Sequence, residues 1–496
     1  MRANSIQAVI PERARDQERE GKSFELSGPA AAPWSTARKV AFRFAFIYLF
    51  LYIFPLSGTF AWIWLKVEIY QAYENLWHKI VPWFAADILH LRNAITIFPE
   101  VNGGSDTTYD HVKVLCFVLI AALASVVWSV IDRKRTAYSK LNEWTRMYVR
   151  LVLAVAMFSY GCAKVIPTQM PPPSLSTLMQ SFGDLTPYRL SWSFIGASAG
   201  YEIFCGLVEV LGGVLLLIPG TTMLGALVSV GALVNVFMLN VCYGIPVKLW
   251  ALHLILFACF LLLPDLHRLV NLFVLNRGAE PESRQPLFRR RWLNYSVWGI
   301  QWALGIYLIV TTLSAASTLR HKLNSIPLTN PLYGIWRVGE FTADGQVRPP
   351  LLTDNLRWQR MIFSSATTLS IQEMNGQLSP YATSIDTLHS TVSLKRIKAA
   401  GTSSPWWSEW QPRPPYDTSD ASERRRADVE LSYNRPQPDA MILEGVMNGH
   451  RLRVTLNKEE RQFILRTRGF QWINDEYDFY NEYSLEYERQ GSTSVP

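Results

Sequence analysis

Lys164, Glu202, Glu209 and His253 stand inside long apolar runs, together with Tyr160, Asn235, Asn240, Tyr243 and, at the head of one run, Lys248. At bilayer depth an ionisable group is unfavourable by roughly 3 kcal/mol or more unless it is paired or reaches water, so each marks a candidate site. Their spacing relates them. Lys164 follows Arg150 by about 21 Å of helix, and Pro167 ends that helix. Glu202 and Glu209 share nearly one helical face, with Glu209 roughly 10 Å deeper. Asn235 falls near mid-depth of the next run and Asn240 near its end. His253 lies about one and a half turns inside the run that starts at Lys248.

With these depths, Lys164, Glu202, Asn240, Lys248 and His253 share one half of a helical bundle, with Glu209 and Asn235 nearer the middle. The content suits a polar pocket walled by apolar side chains. Lys and His donate to carbonyl oxygens and Glu relays protons, which is the chemistry a quinone head group needs. The expected catalytic residues are Lys164, Glu209 and Glu202; Tyr160, Asn235, Asn240, Lys248 and His253 are expected to hold the ligand. A membrane quinone is the one cofactor the pocket suits. A second reading of the same residues is structural: Lys164 snorkels to the interface, and Glu209 pairs with it or with an Asn to lock the helices. One His in the spans does not supply two axial nitrogens, so no intrinsic haem is expected, and no metal site is read.

The elements that position these groups follow from hydropathy. Of 496 residues, 49% are hydrophobic and 18% charged, below the roughly 25% charge of a soluble chain. Residues 1–316 carry 27 Lys/Arg against 19 Asp/Glu, whereas 317–496 carry 21 of each. A helix needs about 20 apolar residues to cross the hydrocarbon core. Seven runs qualify, at 44–65, 113–131, 147–166, 200–219, 221–243, 248–264 and 292–316. Segment 71–91, with Glu74, His78, Lys79 and Asp87, reads as an interfacial helix. Residues 1–43 read as a disordered basic tail, and the first run as an uncleaved signal anchor. With the N-terminus inside, inner segments hold 20 Lys/Arg and outer segments 7, which predicts an N-in protein of the plasma (inner) membrane. The odd span count then puts 317–496 outside the cytoplasm. This basic excess anchors spans and does not signal nucleic acid. The bilayer is the expected surrounding, with a redox or envelope protein as partner.

Five cysteines, all in apolar runs and without CxxC spacing, exclude a disulfide scaffold and a thioredoxin-type dithiol. The loop Asn102-Gly103-Gly104-Ser105-Asp106 lacks the Lys and preceding strand of a phosphate cradle, and Asp106 is expected to cap the second span. Residues 332–474 alternate polar and apolar in eight short runs, the last being QFILRTR. Asp344-Gly345, Asn375-Gly376 and Asn448-Gly449 mark hairpins. The prediction is an all-α polytopic membrane bundle of about seven transmembrane helices, followed by an extracytoplasmic all-β antiparallel barrel or sandwich. Residues 401–427 are expected to interrupt it as a mobile insert.

Two resemblances accompany these readings. Gly334-Ile335-Trp336 resembles the G-x-W start of lipocalin barrels, which implies a ligand-holding barrel; the alternative is a packed domain whose Trp fills its own core. Arg150-Leu151 with Gly161-Cys162-Ala163-Lys164, and Glu209-Val210-Leu211-Gly212-Gly213 with its aliphatic continuation, resemble the DoxX family over about 147–264. That resemblance implies a four-helix membrane unit linked to quinone-dependent oxidation. The same plan is similar to the membrane part of vitamin K-dependent gamma-carboxylase, where a Lys at the end of a comparable helix is the base; Lys164 is the residue that comparison carries over. Extra spans at both ends and a large β domain depart from the minimal DoxX pattern.

Overall fold

The computed structural model describes residues 33–54, 67–92, 95, 97, 106–278, 290–365, 367–397 and 429–467. The expected disordered tail up to residue 32, the second half of the first expected span, Asn102 to Ser105 and the insert 401–427 lie outside them. The chain divides into two compact units.

The first unit holds α1 (Thr36–Ile53), α2 (Val67–Trp83), most of α3 (Thr108–Ile131) and the start of α4 (Ser139–Val165). The segment expected to lie in the interface is α2, continued by a π turn at Phe84–Ile88. Glu74 on α2 takes both of its oxygens to Lys113 Nζ at 2.7 and 2.9 Å. Trp77 sets its ring edge to Phe117 at 4.7 Å. Arg43 is buried, donating to Tyr138 Oη at 2.7 Å and Ser129 Oγ at 2.7 Å, while Tyr138 donates to Asp132 at 2.8 Å. That network satisfies a buried guanidinium where the basic first turns of α1 give way to its apolar run.

The second unit holds the rest of α4, short α5 (Leu175–Leu178), α6 (Pro187–Gly196), α7 (Ala199–Leu217), α8 (Thr222–Cys242), α9 (Lys248–Leu262), amphipathic α10 (Leu266–Phe273) and most of α11 (Arg291–Thr329). Among the described residues six helices are long and apolar enough to cross a membrane: α3, α4, α7, α8, the stretch Lys248–Phe273 and α11. Large apolar side chains, among them Leu123, Ile131, Leu207, Leu224, Leu256 and Ile300, dominate their exposed faces. Several boundaries differ from expectation: α1 starts at Thr36, so residues 36–43 are helix and not part of a disordered tail. Helix α4 begins at Ser139, and α11 runs 39 residues to Thr329, about 58 Å. Charge at Arg320, His321 and Lys322 ends the apolar run without breaking the helix.

After α11 the chain forms a closed antiparallel barrel. Strands β1 (Gly334–Ala343), β3 (Trp358–Phe363), β4 (Thr368–Glu373), β5 (Leu378–Asp386), β6 (Thr391–Arg396), β7 (Val429–Gln437), β8 (Ala440–Met447) and β9 (His450–Glu459) pair in sequence order, and β9 returns to β1. A two-residue β2 (Gln346–Val347) extends β1. Closure leaves no edge among the eight. The expected turns are present, with positive φ at Asp344, Gly345, Gly376, Asn448 and Gly449.

Two strand assignments change. The run QFILRTR is not a strand but contains a short helix, α12 (Ile464–Thr467). Strand β5 was not expected, because Ser379, Pro380 and Thr383 hide its alternation. Trp336, Phe341, Met361, Phe363, Leu394 and Leu456 fill the barrel, all essentially inaccessible. Trp336 donates its indole N–H to Leu332 O at 2.8 Å and lies under Arg435, 5.6 Å from the ring centroid. The G-x-W tryptophan therefore fills the barrel's own core.

Candidate functional site

Helices α4 and α7 run antiparallel and touch backbone to backbone. A Cβ on Gly161 would meet Gly206 O at 2.9 Å and Val210 N at 2.9 Å; one on Gly206 would meet Gly161 O at 2.6 Å and Val165 N at 2.7 Å. Only glycine allows this approach. Three residues beyond each glycine comes a charge, Lys164 after Gly161 and Glu209 after Gly206. In antiparallel helices these two steps lead away from the crossing in opposite directions. Side chains lean toward the N-terminus of their own helix, so Lys164 and Glu209 reach back toward each other. Lys164 Nζ donates to Oε1 at 2.9 Å and Oε2 at 2.8 Å of Glu209. Both residues are buried, 5% and 4% exposed. The pair is closed, each charge neutralised by the other.

Glu202, two turns earlier on α7, is 0% exposed. Its Oε1 accepts from Met170 N at 2.9 Å. Its Oε2 is buried without a hydrogen-bond partner, as is Gln169 Oε1 on the loop that follows α4. Lys164 and Arg320 are the cations whose charges act on Glu202, and Arg320 Nη1 also donates to Pro167 O at 2.8 Å. Tyr160, one turn before Lys164, is 39% exposed, with Lys164 Nζ 5.7 Å from its ring centroid. The arrangement thus combines a neutralised ion pair, an exposed aromatic ring beside it, and two acceptor oxygens that lack a donor. A hydroxyl delivered there gains a hydrogen bond that the protein alone does not supply.

The remaining candidates are placed differently. Lys248 Nζ pairs with Asp106 Oδ2 at 2.9 Å, and Asp106 also accepts from the backbone N–H groups of Lys248 and Leu249, both at 2.8 Å. Asp106 therefore caps α9 and not the second span, whose start is closed by Thr107 and Asp110 instead. His253 is buried and its Nδ1 lies 2.6 Å from Leu249 O, so that nitrogen donates within its own helix. Asn240 is buried near the end of α8 and reaches Val247 O only at 3.5 Å. Asn235 is exposed on α8, unlike the buried Lys164, Glu209, Asn240 and His253, which corrects its expected place in the pocket. Its helix is apolar on all sides, so sequence periodicity carries no information on rotation. Sequence reasoning gave no role to Gln169, Arg320 or Gln301. Gln301 on α11 accepts from Arg150 Nη2 at 2.8 Å.

The loop after Lys164 carries the barrel. Leu175 packs on Ile335 and Ile362 of the barrel's outer face. Ser176 N donates to Ser364 Oγ at 3.1 Å, and Arg466 Nη2 to Pro173 O at 2.7 Å. At the end of α11, Asn330 Nδ2 donates to Ser365 O at 2.7 Å. The barrel thus stands at the end of the bundle that carries Lys164 and Glu202.

The chain is 34% identical over 149 residues to the uncharacterized protein YwoB of Bacillus subtilis (strain 168), a match spanning 28% of this chain and 87% of that relative. The chain belongs to the same family as YwoB. No family model and no solved structure matches it. The name of this relative assigns no activity, so the family membership leaves the chemistry to the residues. Most of this chain lies outside the stretch shared with YwoB.

Proposed function

We propose that this protein is a DoxX-like membrane subunit that binds a quinone or hydroquinone head group beside Tyr160, Lys164 and Glu202. In this reading the N-terminus is cytoplasmic, seven helices span the plasma (inner) membrane, and the barrel faces outward. The observation that carries it is Glu202, fully buried, with one carboxyl oxygen lacking a donor beside the closed Lys164–Glu209 pair. One hydroquinone hydroxyl donates to that oxygen. Glu202 then takes the proton, and the Lys164–Glu209 pair provides the next positions for it within the bundle. Electrons pass to or from a redox partner protein. The exposed ring of Tyr160 gives an apolar head group a surface on which to lie as it arrives from the bilayer.

The test is direct. Protein purified in mild detergent should carry co-extracted quinone by mass spectrometry, and added quinol should raise its melting temperature. Glu202→Gln should remove that shift. Absence of quinone from the preparation, together with no response of the melt to quinone or quinol, overturns the reading.

A second reading is favoured by the filled barrel and its anchorage to both α11 and the loop after α4. In it the helices are a scaffold that presents the barrel to an envelope protein or lipid. It predicts no quinone effect, lower yield alone from Lys164→Ala, and complete loss of cellular function when 332–467 is deleted.

A further inference from the structure

Helix α8 turns Thr222, Gly225, Ala226, Ser229 and Leu233 inward. Its other side carries Leu224, Val228, Gly231, Asn235, Met238 and Cys242, spaced by four, three, four, three and four residues. All are exposed except Val228, which is half-buried. The steps average 3.6 residues, so these positions form one straight stripe along the helix, a face able to lie along a second helix. Two features separate it from an ordinary lipid-facing surface. Asn235 stands exposed in the middle of a helix whose mean hydropathy is 2.0, and it makes no hydrogen bond among the described residues. In hydrocarbon a bare amide is unfavourable, so lipid is a poor neighbour for it. Gly231, one turn away on the same seam, would have open space around an added Cβ. It leaves room for another backbone to approach.

We propose that α8 forms the contact of a symmetric dimer with a second copy of this chain, with Asn235 hydrogen-bonded to Asn235 of the second copy. An amide both donates and accepts, so it satisfies an identical amide. Two copies inserted in one bilayer share orientation, and a two-fold axis along the membrane normal brings each residue to its counterpart at the same depth. A buried Asn at one seam position also fixes register. Cys242 then meets its counterpart at the end of the seam. The proposal does not depend on the reading of the Lys164 site.

The experiment uses the full chain in isolated membranes, oxidised with copper–phenanthroline and run without reductant, alongside native mass spectrometry from mild detergent. The expected result is a species of twice the chain mass, cross-linked in wild type, lost in Cys242→Ser and retained in Cys259→Ser. Asn235→Val should weaken self-association about tenfold. Gly231→Leu, which fills the seam without touching the inward face, should give monomer with an unchanged melt. A monomeric wild type overturns the proposal. So does a dimer that cross-links through Cys259 instead of Cys242, an adduct with a protein of another mass, or self-association indifferent to both seam substitutions.

Discussion

Replacing Lys164 by Met and Glu209 by Leu, singly and together, separates attraction from burial at the α4–α7 crossing. With both nitrogen–oxygen distances at 2.8–2.9 Å, an effective dielectric near 20 gives about 6 kcal/mol of attraction. Most of that is offset by the cost of taking two charges out of water. The pair as a whole is therefore worth little against two apolar side chains of similar size. Removing one partner is another matter, because the survivor is left 4–5% exposed without its hydrogen-bonded partner. Each single substitution should cost about 3–5 kcal/mol, a change of roughly two to four decades in the unfolding constant. The double substitution should fall within about 1 kcal/mol of wild type, so the coupling approaches the sum of the two single effects. Reversible unfolding in bicelles, followed by intrinsic tryptophan fluorescence, reads all four corners of the cycle. A single substitution costing under about 1 kcal/mol, or a double no better than the worse single, refutes the account of a desolvated, mutually neutralised pair. Quinol binding measured on the same four proteins adds the functional axis: a stable double variant that no longer responds to quinol assigns the charges to chemistry and not to stability.

Three further outcomes follow from particular contacts. Gly206→Ala places a methyl 2.6 Å from Gly161 O, so α4 and α7 must separate; the expected loss is about 1–3 kcal/mol by thermal melt. Asp106→Ala removes the acceptor for two α9 backbone N–H groups and the partner of Lys248. It should cost about 1–2 kcal/mol and raise hydrogen exchange at Lys248 and Leu249, whereas Asp106→Asn should recover part of the loss. On the barrel surface, His389 Nδ1 lies 2.8 Å from Asp386 Oδ2. Hydrogen bonding to that carboxylate pushes the imidazole above its ordinary 6.5, and hydrogen bonding to the imidazole holds Asp386 below the usual carboxylate range. The raised His contributes stability fully present below its unfolded pKa and lost as pH rises through the folded value. The lowered Asp contributes stability present above its unfolded pKa and lost as pH falls through its folded value. The contact is thus strongest between the two folded values, and imidazole NMR should show His389 titrating above 6.5 in wild type but not in Asp386→Asn.

What the sequence makes legible here is depth, and what it conceals is rotation. Hydropathy places Lys164, Glu209, Asn235 and His253 along their helices, because the number of apolar residues before each fixes a rise. It cannot say which way α8 faces when that helix is apolar all round, so Asn235 was grouped with a pocket it does not enter. The sequence offers Lys164 only as one of two pairings for Glu209, and the close approach of Gly161 to Gly206 decides between them. Hydropathy also reports the thickness of a membrane and not the end of a helix, which is why α11 continues past the end of its apolar run into Arg320. In the barrel, hairpin glycines and alternation sufficed wherever the inward residues were large. They failed at β5, where Ser379 and Thr383 point inward, and at QFILRTR, whose apolar residues lie beyond a ring already closed by β9 on β1. Each miss has one physical root: a side chain's partner was another element, and a single helix or strand does not record which neighbour it will meet. The same reasoning bears on Glu202. Its unmatched oxygen appears only once the loop at Gln169 and Met170 is in place, so the proposed head-group contact depends on a turn between spans and not on the spans alone.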